Sequence, residues 1–115
     1  MNIKKYQEDG FIISKKVIET DEIENVFFAI NKLLESHVIQ LDFPIKYYEY
    51  NLDSKLIYLK ANHPSFFGSF YDRCQCLLEL QKITAGQNLI KSVTKLLDIP
   101  KEVISVSSQA IRIDP

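Results

Sequence analysis

Residues 103–113 alternate loosely between apolar and polar side chains and are rich in Val, Ile and Ser, from Val103-Ile104-Ser105-Val106 through Ala110-Ile111-Arg112-Ile113. That is a strand pattern with a period near two, and it constrains the fold more than any other stretch. A lone strand carries unpaired N–H and C=O groups along its edges and is stable only inside a sheet. The rest of the chain offers little to pair with it. Phe11-Ile12-Ile13 is a short apolar run with β-branched residues and reads as a buried strand, and Leu56-Ile57-Tyr58-Leu59 reads as a strand or as one helical turn. Two strands make a marginal sheet. The pattern therefore predicts either further chain that completes the sheet or a partner, a second copy included, that pairs with the 103–113 edge.

The remaining elements read as helices. Residues 3–9 form a short helix ended by Gly10, a residue suited to the left-handed cap position. Thr20 or Asp21 caps a second helix over 21–37, with Asp21, Glu22 and Glu24 near its start, where the helix dipole favours negative charge. Its apolar stripe is Ile23, Val26, Phe27, Ile30, Leu33 and Leu34. Residues 38–62 are irregular: Pro44 interrupts them, and Tyr47, Tyr48 and Tyr50 precede Asn51-Leu52-Asp53-Ser54. Pro64, after Asn62 and His63, opens a further helix with the stripe Phe67, Phe70, Tyr71, Cys74, Leu77, Leu78 and Gln81. Thr84, with Gln87 three residues on, makes a capping-box pattern for a last helix, whose stripe is Leu89, Ile90, Val93, Leu96 and Leu97 and which stops before Pro100. The expected class is α+β: about three long helices, with strands at 11–13 and 103–113, in one segment spanning 1–115.

Composition limits the function. The chain holds 46% apolar and 25% charged residues, which excludes a disordered tail. Its net charge of −1, with scattered lysines, gives no electrostatic footprint for nucleic acid or for an anionic membrane. No apolar run approaches the roughly 18 residues that cross a bilayer, and Tyr6-Gln7-Glu8-Asp9-Gly10 interrupts any signal-peptide pattern, so a cytoplasmic location is expected. Cys74 and Cys76 lie two apart, on nearly opposite helix faces, and read as reduced thiols.

Few residues carry a recognisable chemistry. There is no Gly-x-Ser-x-Gly and no phosphate-cradling glycine loop. Neither His37 nor His63 has a carboxylate two residues on, so an iron triad with Asp42 or Asp72 would need an accident of folding. His37 suits the end of its helix and His63 a turn or cap. Asp72-Arg73 reads as a surface pair. Tyr47, Tyr48 and Tyr50 read as packing residues or as the lip of a pocket. Arg112, in an apolar strand pattern, either faces water or meets an anion, since an unpaired buried guanidinium is costly.

Tyr6, Asp9-Gly10-Phe11, Ile12-Ile13 and the capped helix from Asp21 resemble the opening of the phytanoyl-CoA dioxygenase-like family of Fe(II)/2-oxoglutarate oxygenases. Ala110-Ile111-Arg112-Ile113-Asp114-Pro115 resembles the strand that leads, in some members, into the iron motif. The resemblance implies that the chain is the N-terminal fragment of a non-heme Fe(II)/2-oxoglutarate-dependent dioxygenase acting on a small molecule. It would comprise a helical region and the first strands of a double-stranded β-helix (jelly roll), with the catalytic barrel core outside it. It also implies that Gln109 and Arg112 contribute to the cosubstrate or substrate pocket. The chain departs from the family in having no His-x-Asp/Glu, no distal histidine and no following arginine. Iron and 2-oxoglutarate are therefore expected in the full-length parent, and neither cofactor binding nor turnover is expected of this chain alone. Two alternatives differ in class. One is a stand-alone helical interaction module that pairs its 103–113 strand with a partner protein. The other is a small α+β binding domain with Tyr47, Tyr48 and Tyr50 at its ligand site.

Overall fold

The computed structural model describes residues 2–39 and 41–107, and these are helical throughout their regular parts. Six α-helices follow in order: α1 (Ile3–Asp9), α2 (Thr20–His37), α3 (Leu52–Asn62), α4 (Pro64–Cys74), α5 (Leu78–Thr84) and α6 (Gln87–Leu97). Two 3-10 turns, Ile45–Glu49 and Lys101–Val103, complete the described elements. No strand occurs among the described residues, so the α+β class with first jelly-roll strands is corrected to an all-helical arrangement. Nor is any helix among them long and apolar enough to cross a membrane.

The corrections have local causes. Phe11 and Ile13, expected in a buried strand, are 63% and 80% exposed, and residues 11–14 hold no regular structure. No neighbouring strand among the described residues receives their N–H and C=O groups, and an apolar run of three cannot make a strand without one. Leu56-Ile57-Tyr58-Leu59 lies wholly inside α3, whose start is fixed by the Asn51 side chain accepting from the Ser54 N–H at 2.9 Å. Of the 103–113 pattern, Val103 ends the 3-10 turn Lys101–Val103 and 104–107 are irregular, while 108–113 lie outside the described residues.

The helices owe their ends to identifiable groups. The Asn2 side chain accepts from the Lys5 N–H at 3.0 Å at the start of α1, and Gly10, at φ 79°, closes it by donating its N–H to the Tyr6 carbonyl at 2.8 Å. Helix α2 begins one residue before the expected start. Its cap is Glu19 rather than Thr20 or Asp21, with the Glu22 carboxylate reaching back to the Glu19 N–H at 2.8 Å. The helix expected from Pro64 to Gln81 is two helices. A tight turn, in which Cys76 and Leu77 N–H groups donate to the Arg73 and Cys74 carbonyls, separates α4 from α5. Thr84 does not cap α6. It is the last residue of α5, and Gly86 is the cap instead. A Cβ at Gly86 would lie 3.0 Å from the Lys82 carbonyl oxygen and 3.1 Å from that of Ile83, which explains a glycine at this close approach.

The core lies where α2, α3 and α4 meet. Val26, Ile30, Leu34 and Val38 from the α2 side pack on Leu56 and Leu59 of α3 and on Phe70 and Cys74 of α4. The α2 stripe is only partly used. Val26, Ile30 and Leu34 are buried and Leu33 packs against the core, whereas Ile23 and Phe27 face solvent. Helix α6 touches α1, α5 and the last 3-10 turn and buries no residue completely. The outcome is elongated, 55 × 25 × 24 Å with a radius of gyration of 18.0 Å. A compact chain of this length would have about 13 Å. Much apolar surface is therefore left uncovered, including Phe11, Ile13, Phe27 and Phe28.

Candidate functional site

The irregular segment expected between the second and third predicted helices folds into an aromatic cluster. Pro44 starts the 3-10 turn Ile45–Glu49, which turns Tyr47 inward while Tyr48 stays outside. Tyr47 is 3% exposed and Tyr48 66%. The Phe43 and Tyr47 rings stack at 4.0 Å with an 11° interplanar angle. Tyr48, Tyr58 and Tyr50 present their edges to Tyr47 at 5.6, 5.5 and 6.1 Å. The Lys55 ammonium sits 5.7 Å from the Tyr47 ring centre, on the electron-rich face that attracts cations.

Beside this cluster, between the C-terminal half of α2, Val38, Ile39, Leu41 and Phe43, the 3-10 turn and α3, lies a cavity of about 210 Å³. Leu34, Val38, Leu41 and Phe43 give it apolar walls, and Lys55 and Glu35 give it charge. The Tyr47 hydroxyl is buried and has no hydrogen-bond partner. Burial, and then the neighbouring Tyr48 and Tyr58 hydroxyls, push the Tyr47 pKa above its ordinary value, so the group stays a neutral donor at physiological pH. A larger, more open hollow of about 610 Å³ lies between α1, residues 11–17 and Ser92 of α6.

The three tyrosines singled out from the sequence do come together, with Tyr47 buried at their centre. His63 joins them at the rim, with its ring 5.6 Å from Phe43, and it is at once the last cap of α3 and the first of α4, as a turn residue should be. His37 lies in a different place. Its ring meets Phe66 at 5.8 Å and Phe70 at 6.3 Å, and its Nε2 is buried without a partner. Phe43 and Lys55 complete the site, and sequence reasoning missed both. Phe43 precedes a proline and Lys55 is one of many scattered lysines, so neither carried a signal. Gln109 and Arg112 lie outside the described residues.

Among the described residues no group of three or more His, Cys, Asp or Glu side chains converges to hold a metal ion. The two cysteines are free and differ sharply, Cys74 being fully buried in the core and Cys76 exposed. Burial pushes the Cys74 thiol up to about 11. At mildly alkaline pH a thiol reagent should label Cys76 alone in the native chain and both cysteines in denaturant. Rapid native labelling of two thiols would show that the α2–α4 core opens. Since the folded thiol keeps its proton to higher pH than an unfolded one, its contribution to stability is intact below the ordinary thiol pKa. It is lost as pH rises through about 11.

Comparison with protein-family models, with curated proteins and with solved structures gives no match.

Proposed function

We propose that this chain is the helical N-terminal part of a phytanoyl-CoA dioxygenase-like Fe(II)/2-oxoglutarate oxygenase, a segment that buttresses a catalytic barrel without holding its iron. The observation that carries the reading is the setting of the motif Tyr6, Asp9-Gly10-Phe11. Gly10 ends α1 in the left-handed conformation, and Phe11 and Ile13 then project into solvent ahead of α2. Phe27 and Phe28, adjacent on α2, are exposed as well, and the chain thus leaves large apolar side chains for another body to cover. The described residues do not fit an iron centre, for want of any cluster of ligands, and no catalytic step is assigned to them. In this reading Gln109 and Arg112 are the residues directed to the cosubstrate or substrate pocket, and the small-molecule substrate is bound by the parent.

The test is enzymatic. The reading frame beyond codon 115 is expected to encode His-x-Asp or His-x-Glu, and the whole product to convert 2-oxoglutarate to succinate only with Fe(II). Residues 1–115 alone should give no succinate. Turnover by the 115-residue chain, or a neighbouring sequence without an iron motif, overturns the proposal. The latter result would favour a separate partner protein as the cover for the same apolar surface.

A further inference from the structure

The cavity beside Tyr47 has a chemistry of its own, and it does not depend on the oxygenase reading. Its walls are apolar, from Leu34, Val38, Leu41 and Phe43. At about 210 Å³ it is smaller than the ~300–1,000 Å³ of sites for drug-sized ligands, so its occupant is of fragment size. Two charged side chains reach it. Glu35 is well exposed, so water screens its charge, and the Lys32 ammonium lies 3.4 Å from it. Lys55 is half-buried and, among the described residues, meets no carboxylate within ion-pair distance. Its ammonium lies over the Tyr47 ring, which fills the place where a ligand cation would stack. Tyr47 also lines the cavity, and its hydroxyl is buried without an acceptor. What the cavity lacks is therefore an anion with acceptor oxygens attached to an apolar body.

We propose that the cavity between α2, the 3-10 turn and α3 binds a small apolar monocarboxylate, aromatic or branched-chain. Its body lies against Leu34, Val38 and Phe43 and its carboxylate at the Lys55 ammonium. The Tyr47 hydroxyl, buried in the free chain, becomes a second donor to that carboxylate after a local rearrangement of the aromatic rings around it. A buried donor without a partner is normally satisfied by some acceptor, and the ligand supplies one. A dicarboxylate such as 2-oxoglutarate does not suit the site, because its second charge would be pressed against the apolar walls without a counter-ion.

The experiment is a titration of the 115-residue chain with sodium phenylacetate at neutral pH, followed residue by residue by amide NMR. Phenylacetamide, the uncharged analogue, and 2-oxoglutarate are run alongside. The expected result is saturable shifts confined to residues 31–43, 45–48 and 52–59, with phenylacetate binding about tenfold or more tighter than either comparison compound. Lys55→Gln should remove the preference for phenylacetate over phenylacetamide, and Lys55→Arg should keep it. Thermal melts of both variants confirm that they fold. The proposal is overturned by the absence of saturation up to ~10 mM, which is weaker than any useful affinity. Equal binding of acid and amide, or shifts centred on the hollow by Phe11 and Lys15, overturns it as well.

Discussion

Replacing Phe70 with alanine is expected to lower the unfolding free energy by about 3–5 kcal/mol, a large share of the roughly 5–15 kcal/mol that holds a domain folded. Phe70 is fully buried, and from α4 it packs in the cluster with Leu34 of α2 and Leu59 of α3. Few other side chains share the load. Among the described residues the fully buried large ones are Phe70, Leu59 and Cys74, so the surroundings cannot easily close over the void. Phe28→Ala removes an identical ring that is 64% exposed on α2 and should cost no more than about 0.5 kcal/mol. Urea titrations of the two variants followed by far-UV circular dichroism make the comparison. Equal midpoints would mean that the α2–α3–α4 contact is not where the chain's stability resides.

Tyr47→Phe is expected to move stability the other way. The substitution keeps the ring that stacks on Phe43 and removes only a hydroxyl that has no partner. An unsatisfied buried hydroxyl costs about 1–3 kcal/mol, so the variant should melt several degrees higher, at ~4–8 °C for each kcal/mol recovered. The same change should weaken phenylacetate binding, because one of the two donors is gone. A rise in melting temperature coupled to a loss of affinity identifies the hydroxyl as a group kept for a ligand at some expense of stability. A fall in melting temperature would show that Tyr47 has a partner after all, and would remove the case for its role.

The sequence made the ends of helices legible where a cap or breaker has one meaning. Gly10 after residues 3–9, the acidic first turn of α2, Pro64 at the first position of α4 and the stop before Pro100 all stand as read. An apolar run has two meanings, and there the sequence misled at residues 11–13 and left strand or helical turn open at 56–59, where the helical reading holds. Phe11-Ile12-Ile13 has strand composition, but composition cannot supply the neighbour that a strand needs. In α3 the buried positions Leu56 and Leu59 are three apart, as a helix requires. The exposed Ile57 and half-buried Tyr58 between them disguise the spacing as a continuous run. The break at residues 75–77 contains neither glycine nor proline, so nothing local announced it. At the candidate site, three tyrosines in four positions pointed to a pocket or packing role. Which of them turned inward was settled by the 3-10 turn after Pro44, a tertiary outcome that one-dimensional patterning does not encode.

His63 closes α3 and opens α4 with no spacer between them. The two helices therefore share a phase. The residue count from Leu59 to Phe70 determines whether the buried side of one helix meets the buried side of the other. One residue added at this elbow would turn α4 by roughly 100° relative to α3 and carry Phe70 and Cys74 away from Leu56 and Leu59. Residues 15–18 and 98–100 border no fully buried side chain and set no such phase. Geometry thus ranks the sites of length change: one residue added at residues 15–18 or 98–100 is expected to disturb the buried cluster far less than one added at the elbow, where the phase between Leu59 and Phe70 is set.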